Sequence, residues 1–181
     1  MIYLFLADGF EEVEALTPLD LLRRAGKTVQ TVGITGKIVN GAHGIPVTAD
    51  ITADEITLDD SLEMVILPGG MPGTLRLNES ETVRKAVTYM NEKKRPIAAI
   101  CAAPTVLGGM GLLSGRTATC YPGMESGLTG ANASREPVCV DGHFITSRGV
   151  GTAMPFALAL IDALCPAGTS KKIAESVVYQ Q

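Results

Sequence analysis

Three stretches of this chain are apolar at every position rather than at alternate ones: residues 2–7 (IYLFLA), 64–67 (MVIL) and 96–100 (PIAAI). A strand with one face in water alternates apolar and polar side chains. A strand without alternation must be covered on both faces, as in a parallel sheet between two layers of helices. Between the runs lie segments with helical spacing. Residues 11–25 place Val13, Leu16, Leu19 and Leu22 on one face, with Gly26 as the stop and Pro18 as an expected kink or break. Residues 28–34 are a further strand, completing a β-α-β unit. Residues 39–41 and 45–48 read as short edge strands. Residues 79–94 form a helix with Asn78 as N-cap and Glu81 completing a capping box, and Val83, Val87 and Met90 facing inward. A short helix over 104–111 is closed by the glycines at 108, 109 and 111. A strand at 117–120, a hairpin at 137–147 turning on Asp141-Gly142, an apolar helix over 151–164 and a short helix at 169–178 complete the order. Alternating strands and helices predict an α/β fold, mostly parallel, with helices on both faces.

Composition narrows the function classes. The 181 residues suit one domain, 1–181, and 46% apolar against 19% charged residues excludes a disordered chain. No apolar run approaches the roughly 18 residues of a spanning helix. A net charge of −4 gives no basic footprint, so neither nucleic acid nor an anionic membrane surface is an expected partner. The N-terminus lacks a basic region and a cleavage site, which predicts a cytoplasmic protein. Cys101, Cys120, Cys139 and Cys165 form no C-x-x-C, and with only His43 and His143 no metal-site spacing appears. No phosphate loop or dinucleotide fingerprint is present, and no cofactor is expected.

Sites in open α/β sheets form beyond the carboxyl ends of the strands. Residues 7–14, 67–73 and 100–105 all follow apolar strands and meet at that edge. Cys101 sits between a strand and Ala102-Ala103-Pro104, which opens a helix. That is the position of a nucleophile elbow, where the helix end is expected to lower the thiol pKa. The plain alternative is a buried, inert cysteine. Glu11, Glu12 and Glu14 crowd the first turn of a helix. Complementing the helix dipole accounts for Glu11 and Glu12, while Glu14 falls at the border of the buried face, where a carboxyl can share a proton with a thiol. Gly69 and Gly70 follow a strand and can present bare N–H groups to an oxyanion, or simply make a tight turn. His43 and His143 read as surface or edge histidines.

Four segments taken together resemble a known family: ADGFEEVE (7–14), LPGGMPG (67–73), AAICAAP (98–104) and TSRGVGT (146–152). In order and over nearly the whole chain they are similar to the ThiJ/PfpI superfamily, and within it to the branch of the parkinsonism-associated protein DJ-one. The resemblance implies a flavodoxin-like three-layer sandwich and a homodimer. It implies Cys101 as nucleophile or oxidation site, Glu14 as its acid/base partner, and Gly69, Gly70 and Ala102 as oxyanion donors. Tyr121 and Arg148 are expected to border the pocket. Two departures matter. Ala102 stands where the protease-like branches carry a histidine, which argues against peptidase or amidase activity. Tyr121-Pro122 stands where the DJ-one branch often has His-Pro, which leaves Glu14 as the sole proton carrier and implies a modest rate.

The implied activity is that of a cysteine-dependent, cofactor-independent glyoxalase or deglycase, with a small aldehyde or a glycated adduct as substrate. The alternative is an oxidative-stress redox sensor or chaperone using the same thiol without turnover.

Overall fold

The computed structural model describes residues 1–180. In chain order the elements are β1 (Ile2–Leu6), α1 (Glu12–Arg24), β2 (Val29–Gly33), β3 (Ile38–Asn40), β4 (Pro46–Thr48), β5 (Ile51–Thr52) and β6 (Met64–Leu67). There follow α2 (Gly73–Glu79), α3 (Glu81–Glu92), β7 (Ile97–Ile100), α4 (Pro104–Gly109), β8 (Thr117–Ala118) and β9 (Asn132–Ala133). The chain continues through β10 (Val138–Asp141), β11 (Phe144–Ser147), α5 (Ala153–Leu164) and α6 (Thr169–Ser176).

Seven strands form one sheet in the order β10-β11-β7-β6-β1-β2-β5. All neighbours are parallel except β10, which runs antiparallel to β11. The unalternating runs are central, and their period of two is divided between two cores. Ile2, Leu4, Leu6, Met64, Ile66, Ala98 and Ile100 face the layer containing α1 and α5. Tyr3, Phe5, Val65, Leu67, Ile97 and Ala99 face the layer containing α3 and α4. Each fully buried Leu, Ile or Phe contributes about 1.5–3 kcal/mol, so these strands anchor both layers. The flavodoxin-like sandwich is present.

Several local expectations are corrected. Helix α1 does not bury Val13 and Leu16, which are exposed; it buries Ala15, Pro18, Leu21 and Leu22 together with Glu12 and Glu14. Small Ala15 and flat Pro18 suit the close packing of α1 on α5. Pro18 does not break the helix, since it gives up only the bond its missing N–H would make to the Glu14 carbonyl. The helix expected over 79–94 is two helices. Asn78 lies inside α2, and the cap of α3 is Ser80, whose Oγ accepts from Val83 N–H at 3.4 Å. Segments β3 and β4 form their own hairpin rather than edging the main sheet, where β5 takes the border. Asp141 pairs with Phe144, so the hairpin turns on Gly142-His143, one residue later than expected.

Candidate active site

The sheet's carboxyl edge brings the α1 N-terminus, the turn after β6 and the turn after β7 together. Cys101 directly follows β7 and has φ +66°, a left-handed conformation that costs a non-glycine residue about 1–2 kcal/mol. Neighbours hold it there. Its N–H donates to Ser147 O at 3.0 Å, and its carbonyl accepts from Tyr121 N–H at 2.8 Å. The chain then enters α4 with Pro104 in the first turn. The strained backbone turns the thiol out of the sheet into a cleft.

Glu14, in the first turn of α1, is 1% exposed. Its Oε2 accepts from Gly69 N–H at 3.0 Å, while Oε1 is buried without a hydrogen-bond partner. Burial pushes the carboxyl up to about 7, helped by the charge of Glu11 and opposed by hydrogen bonding to Cys101 and Gly69. The Cys101 thiol is pushed up to about 12, first by burial, then by the charge and hydrogen bonding of Glu14. The backbone N–H groups of Gly70 and Ala102 act the other way. The expectation of a lowered thiol is therefore not met: burial and the facing carboxylate outweigh the N–H groups that act the other way. Thiol and carboxyl compete for one proton, so a thiolate forms when Glu14 holds it.

Gly69 fixes this geometry. A Cβ there would lie 2.5 Å from both Cys101 Cβ and Glu14 Oε2 and 3.0 Å from Sγ. Its N–H, expected as an oxyanion donor, is committed to Glu14. Gly70 and Ala102 are the two whose N–H groups act on the sulfur. Gly69→Ala is expected to destabilise the fold by about 1–3 kcal/mol through overpacking and to abolish Cys101 reactivity. Urea denaturation and iodoacetamide labelling check the two effects.

The cleft above Cys101 has a volume of about 530 Å³ and is bordered by Glu11, Glu14, Tyr121, Arg148 and Thr152. Tyr121 is exposed at its rim. Arg148 is half-buried, and its guanidinium donates to Arg135 O at 2.7 Å. Thr152 escapes sequence reasoning as a single residue, although the glycine-containing segment 146–152 carries the available signal. Its Oγ1 accepts from Arg148 N–H at 3.2 Å and Gly149 N–H at 3.1 Å, which shapes the loop into a wall. Glu12 does more than complement the helix dipole. It is buried, accepts from His43 N–H at 2.8 Å and pairs with His43 Nδ1 at 2.8 Å. Burial alone would raise its pKa, but the His43 contacts outweigh it and lower it. His43 thus occupies both oxygens of Glu12 outside the cleft. His143 is half-buried in the hairpin turn, with Nε2 2.9 Å from Asn91 Oδ1.

The other thiols differ from Cys101. Cys120 and Cys139 are buried and Cys165 is half-buried, and none of these three lines the cleft. Cys120 is pushed up to about 11, by burial and then by the Glu125 charge.

A family model described as DJ-1/PfpI family matches residues 1–163. Protein DJ-1 homolog B of Arabidopsis thaliana is 39% identical over 162 residues, covering 88% of this chain but 37% of its own length. Deglycase PfpI of Pyrococcus furiosus is 37% identical over 155 residues, 82% of this chain and 90% of its own. Among solved structures, an oxidised DJ-1 from Toxoplasma gondii superposes with a TM-score of 0.94 at 33% identity, covering 99% of this chain and 98% of the other.

Proposed function

The chain belongs to the DJ-1/PfpI family, and from that premise we propose that it is a cysteine-dependent, cofactor-independent enzyme acting on 2-oxoaldehydes or on the adducts they form. Relatives bearing the deglycase name support the general class. One observation carries the specific reading: a buried carboxyl beside the Cys101 thiol, anchored through one oxygen and unpartnered at the other.

Glu14 takes the thiol proton, and Cys101 Sγ adds to the aldehyde carbon, C1. The new alkoxide faces the Gly70 and Ala102 N–H groups and takes the thiol's proton from Glu14, giving a hemithioacetal and restoring the carboxylate. Glu14 then removes the proton on C1, giving an enediolate, and returns it to C2 while the C1 hydroxyl proton passes to the C2 oxygen. C1 is oxidised and C2 reduced within one molecule, so no outside oxidant is needed. Water hydrolyses the resulting 2-hydroxy thioester, freeing the hydroxy acid and the thiol. Tyr121 is a hydrogen-bond donor in this scheme, not a base, since a phenol ionises near 10. The test is methylglyoxal with no added thiol: lactate is the expected product, and a folded protein that makes none overturns the proposal.

A second reading rests on the same sulfur. The N–H groups of Gly70 and Ala102 that favour a thiolate would equally hold a sulfinate, with protonated Glu14 as a third donor. Two equivalents of peroxide would add two oxygens at Cys101 and release two waters. Intact-mass and peptide spectra after mild peroxide are expected to show that gain at Cys101 alone. Oxidation spread over all four cysteines would reject a sensing role.

The homodimer is retained as part of the proposal. Val13 and Leu16 on α1, with Ile45 beside them, present apolar side chains to solvent. Leu16→Glu is expected to shift sedimentation from dimer to monomer. Four free thiols fit a reducing, cytoplasmic setting, and among the described residues no helix is long and apolar enough to cross a membrane.

A further inference from the structure

Cys101 stands between two clefts, of which one carries charged side chains and the other none. The first holds Glu11, Glu14 and Arg148. The second, about 360 Å³, shares Gly70, Cys101, Tyr121 and Pro122 with it but extends the other way, between Met71, Ala102 and Met124. Among the described residues, no charged side chain lines this second cleft. Met71 and Tyr121 are both about half exposed at its mouth, 51% and 52%.

A 2-oxoaldehyde bound to Cys101 has only two carbons that must reach Glu14. The remaining group, the substituent on C2, needs a place of its own. Set among Glu11, Glu14 and Arg148, an apolar substituent would strip water from charged groups, and beyond the Tyr121 and Pro122 that both clefts share only Val150 would give it an apolar contact. On the other side it meets two thioether side chains, a proline ring and a phenol face, all of which gain by being covered. Methionine adapts its shape to what it covers, so the subsite does not require one outline.

We propose that this cleft is the subsite for the C2 substituent and that the protein selects 2-oxoaldehydes bearing a bulky apolar substituent over methylglyoxal, with Met71 and Met124 as specificity-determining residues. This rests on the glyoxalase reading above and names the substrate class of that same site. A methyl group is too small to fill the cleft. A four-carbon branched substituent adds three carbons, each worth about fourfold in affinity when fully buried. With part of that surface still open to water, the expected preference is about tenfold.

The experiment compares kcat/KM for isobutylglyoxal and methylglyoxal in the wild type, Met71→Gln and Met124→Gln. Glutamine keeps the length of methionine and makes the wall polar. The wild type is expected to favour isobutylglyoxal about tenfold, and each variant to lower that ratio at least threefold. A purely structural effect would move both substrates together and leave the ratio unchanged. A wild-type ratio near one, or a ratio unmoved in both variants, overturns the subsite. The same comparison is made without turnover, from the alkylation rate of Cys101 by iodoacetamide and by its N-isobutyl derivative. If neither aldehyde turns over, the glyoxalase reading fails. The alkylation ratio then still decides the subsite: faster N-isobutyl labelling that Met124→Gln removes supports it, and equal rates reject it.

Discussion

Replacing Cys101 with serine is expected to lower methylglyoxal turnover by about 10³-fold or more while leaving the fold intact. Oxygen for sulfur is a small change in volume, and the backbone bonds to Ser147 and Tyr121 that hold the left-handed turn involve no side-chain atom. Thermal unfolding should therefore barely move. The chemistry changes completely. A buried carboxylate can compete with a thiol for its proton, but it cannot ionise an alcohol, whose proton is far more tightly held. The hemithioacetal has no equally accessible oxygen counterpart, and without it no acyl intermediate forms. Cys165→Ser is the matched control, since Cys165 lies outside the cleft. Lactate production that survives in Cys101→Ser would remove the nucleophile from the mechanism.

Glu14→Gln separates two roles that are easily confused. Glutamine still accepts from Gly69 N–H but carries no mobile proton, so turnover is expected to fall by about 10²–10⁴-fold. The thiol should respond in the opposite direction. Losing the facing negative charge removes one of the causes that push Cys101 up, so iodoacetamide labelling at a fixed pH should quicken. A slower catalyst with a faster thiol identifies Glu14 as the carrier of the carbon-bound proton; parallel losses in both would mean that its main work is to take the proton of the thiol.

The same substitution has a consequence for stability, with a definite sign. The carboxyl titrates near 4.5 when the chain is unfolded and near 7 when folded. Between those values the native state holds the proton and the unfolded state does not, so the native state loses stability as pH rises through the window. At about 1.4 kcal/mol per pH unit the loss reaches about 3 kcal/mol above pH 7. The glutamine variant, with nothing to titrate at this position, escapes it. Relative to their values below pH 4.5, urea titrations should show a growing advantage for Glu14→Gln over the wild type toward neutrality. A difference that does not vary with pH would have another origin.

Much of this arrangement is legible in the sequence, for reasons that can be named. Residues 2–7, 64–67 and 96–100 are apolar throughout because both faces of β1, β6 and β7 are covered, and no other environment would accept them. Cys101 stands out because strand, small residues and proline come in a row. Without the family resemblance, Glu14 is legible only as a border residue; that one of its oxygens is anchored by Gly69 depends on a contact between residues 55 apart in the chain. The buried face of α1 is misleading because Val13 and Leu16 have the right character and spacing for a core. Hydrophobicity alone does not distinguish a face turned to the chain's own interior from one left uncovered. Helix α2 is hidden because it is only seven residues long and begins on a glycine, at the end of the segment 67–73 that reads as part of the site. The apolar cleft is not visible at all, since Met71 and Met124 meet only through the fold.

The two borders of the main sheet bear on how the protein behaves in a crowded solution. One border is β5, only two residues long; the other is β10, four residues long, preceded by Pro137 and ended by Asp141. Asp141 is itself occupied, accepting from Thr117 N–H at 2.8 Å and pairing with Arg116 at 3.1 Å. A foreign strand seeking a template finds no long row of free amides on either side. Of the five strands between these borders, β1, β6 and β7 are apolar throughout and would be adhesive if uncovered. The protection of this sheet against an added strand therefore rests on a handful of residues at the rim, and lengthening β5 or replacing Pro137 is expected to weaken it.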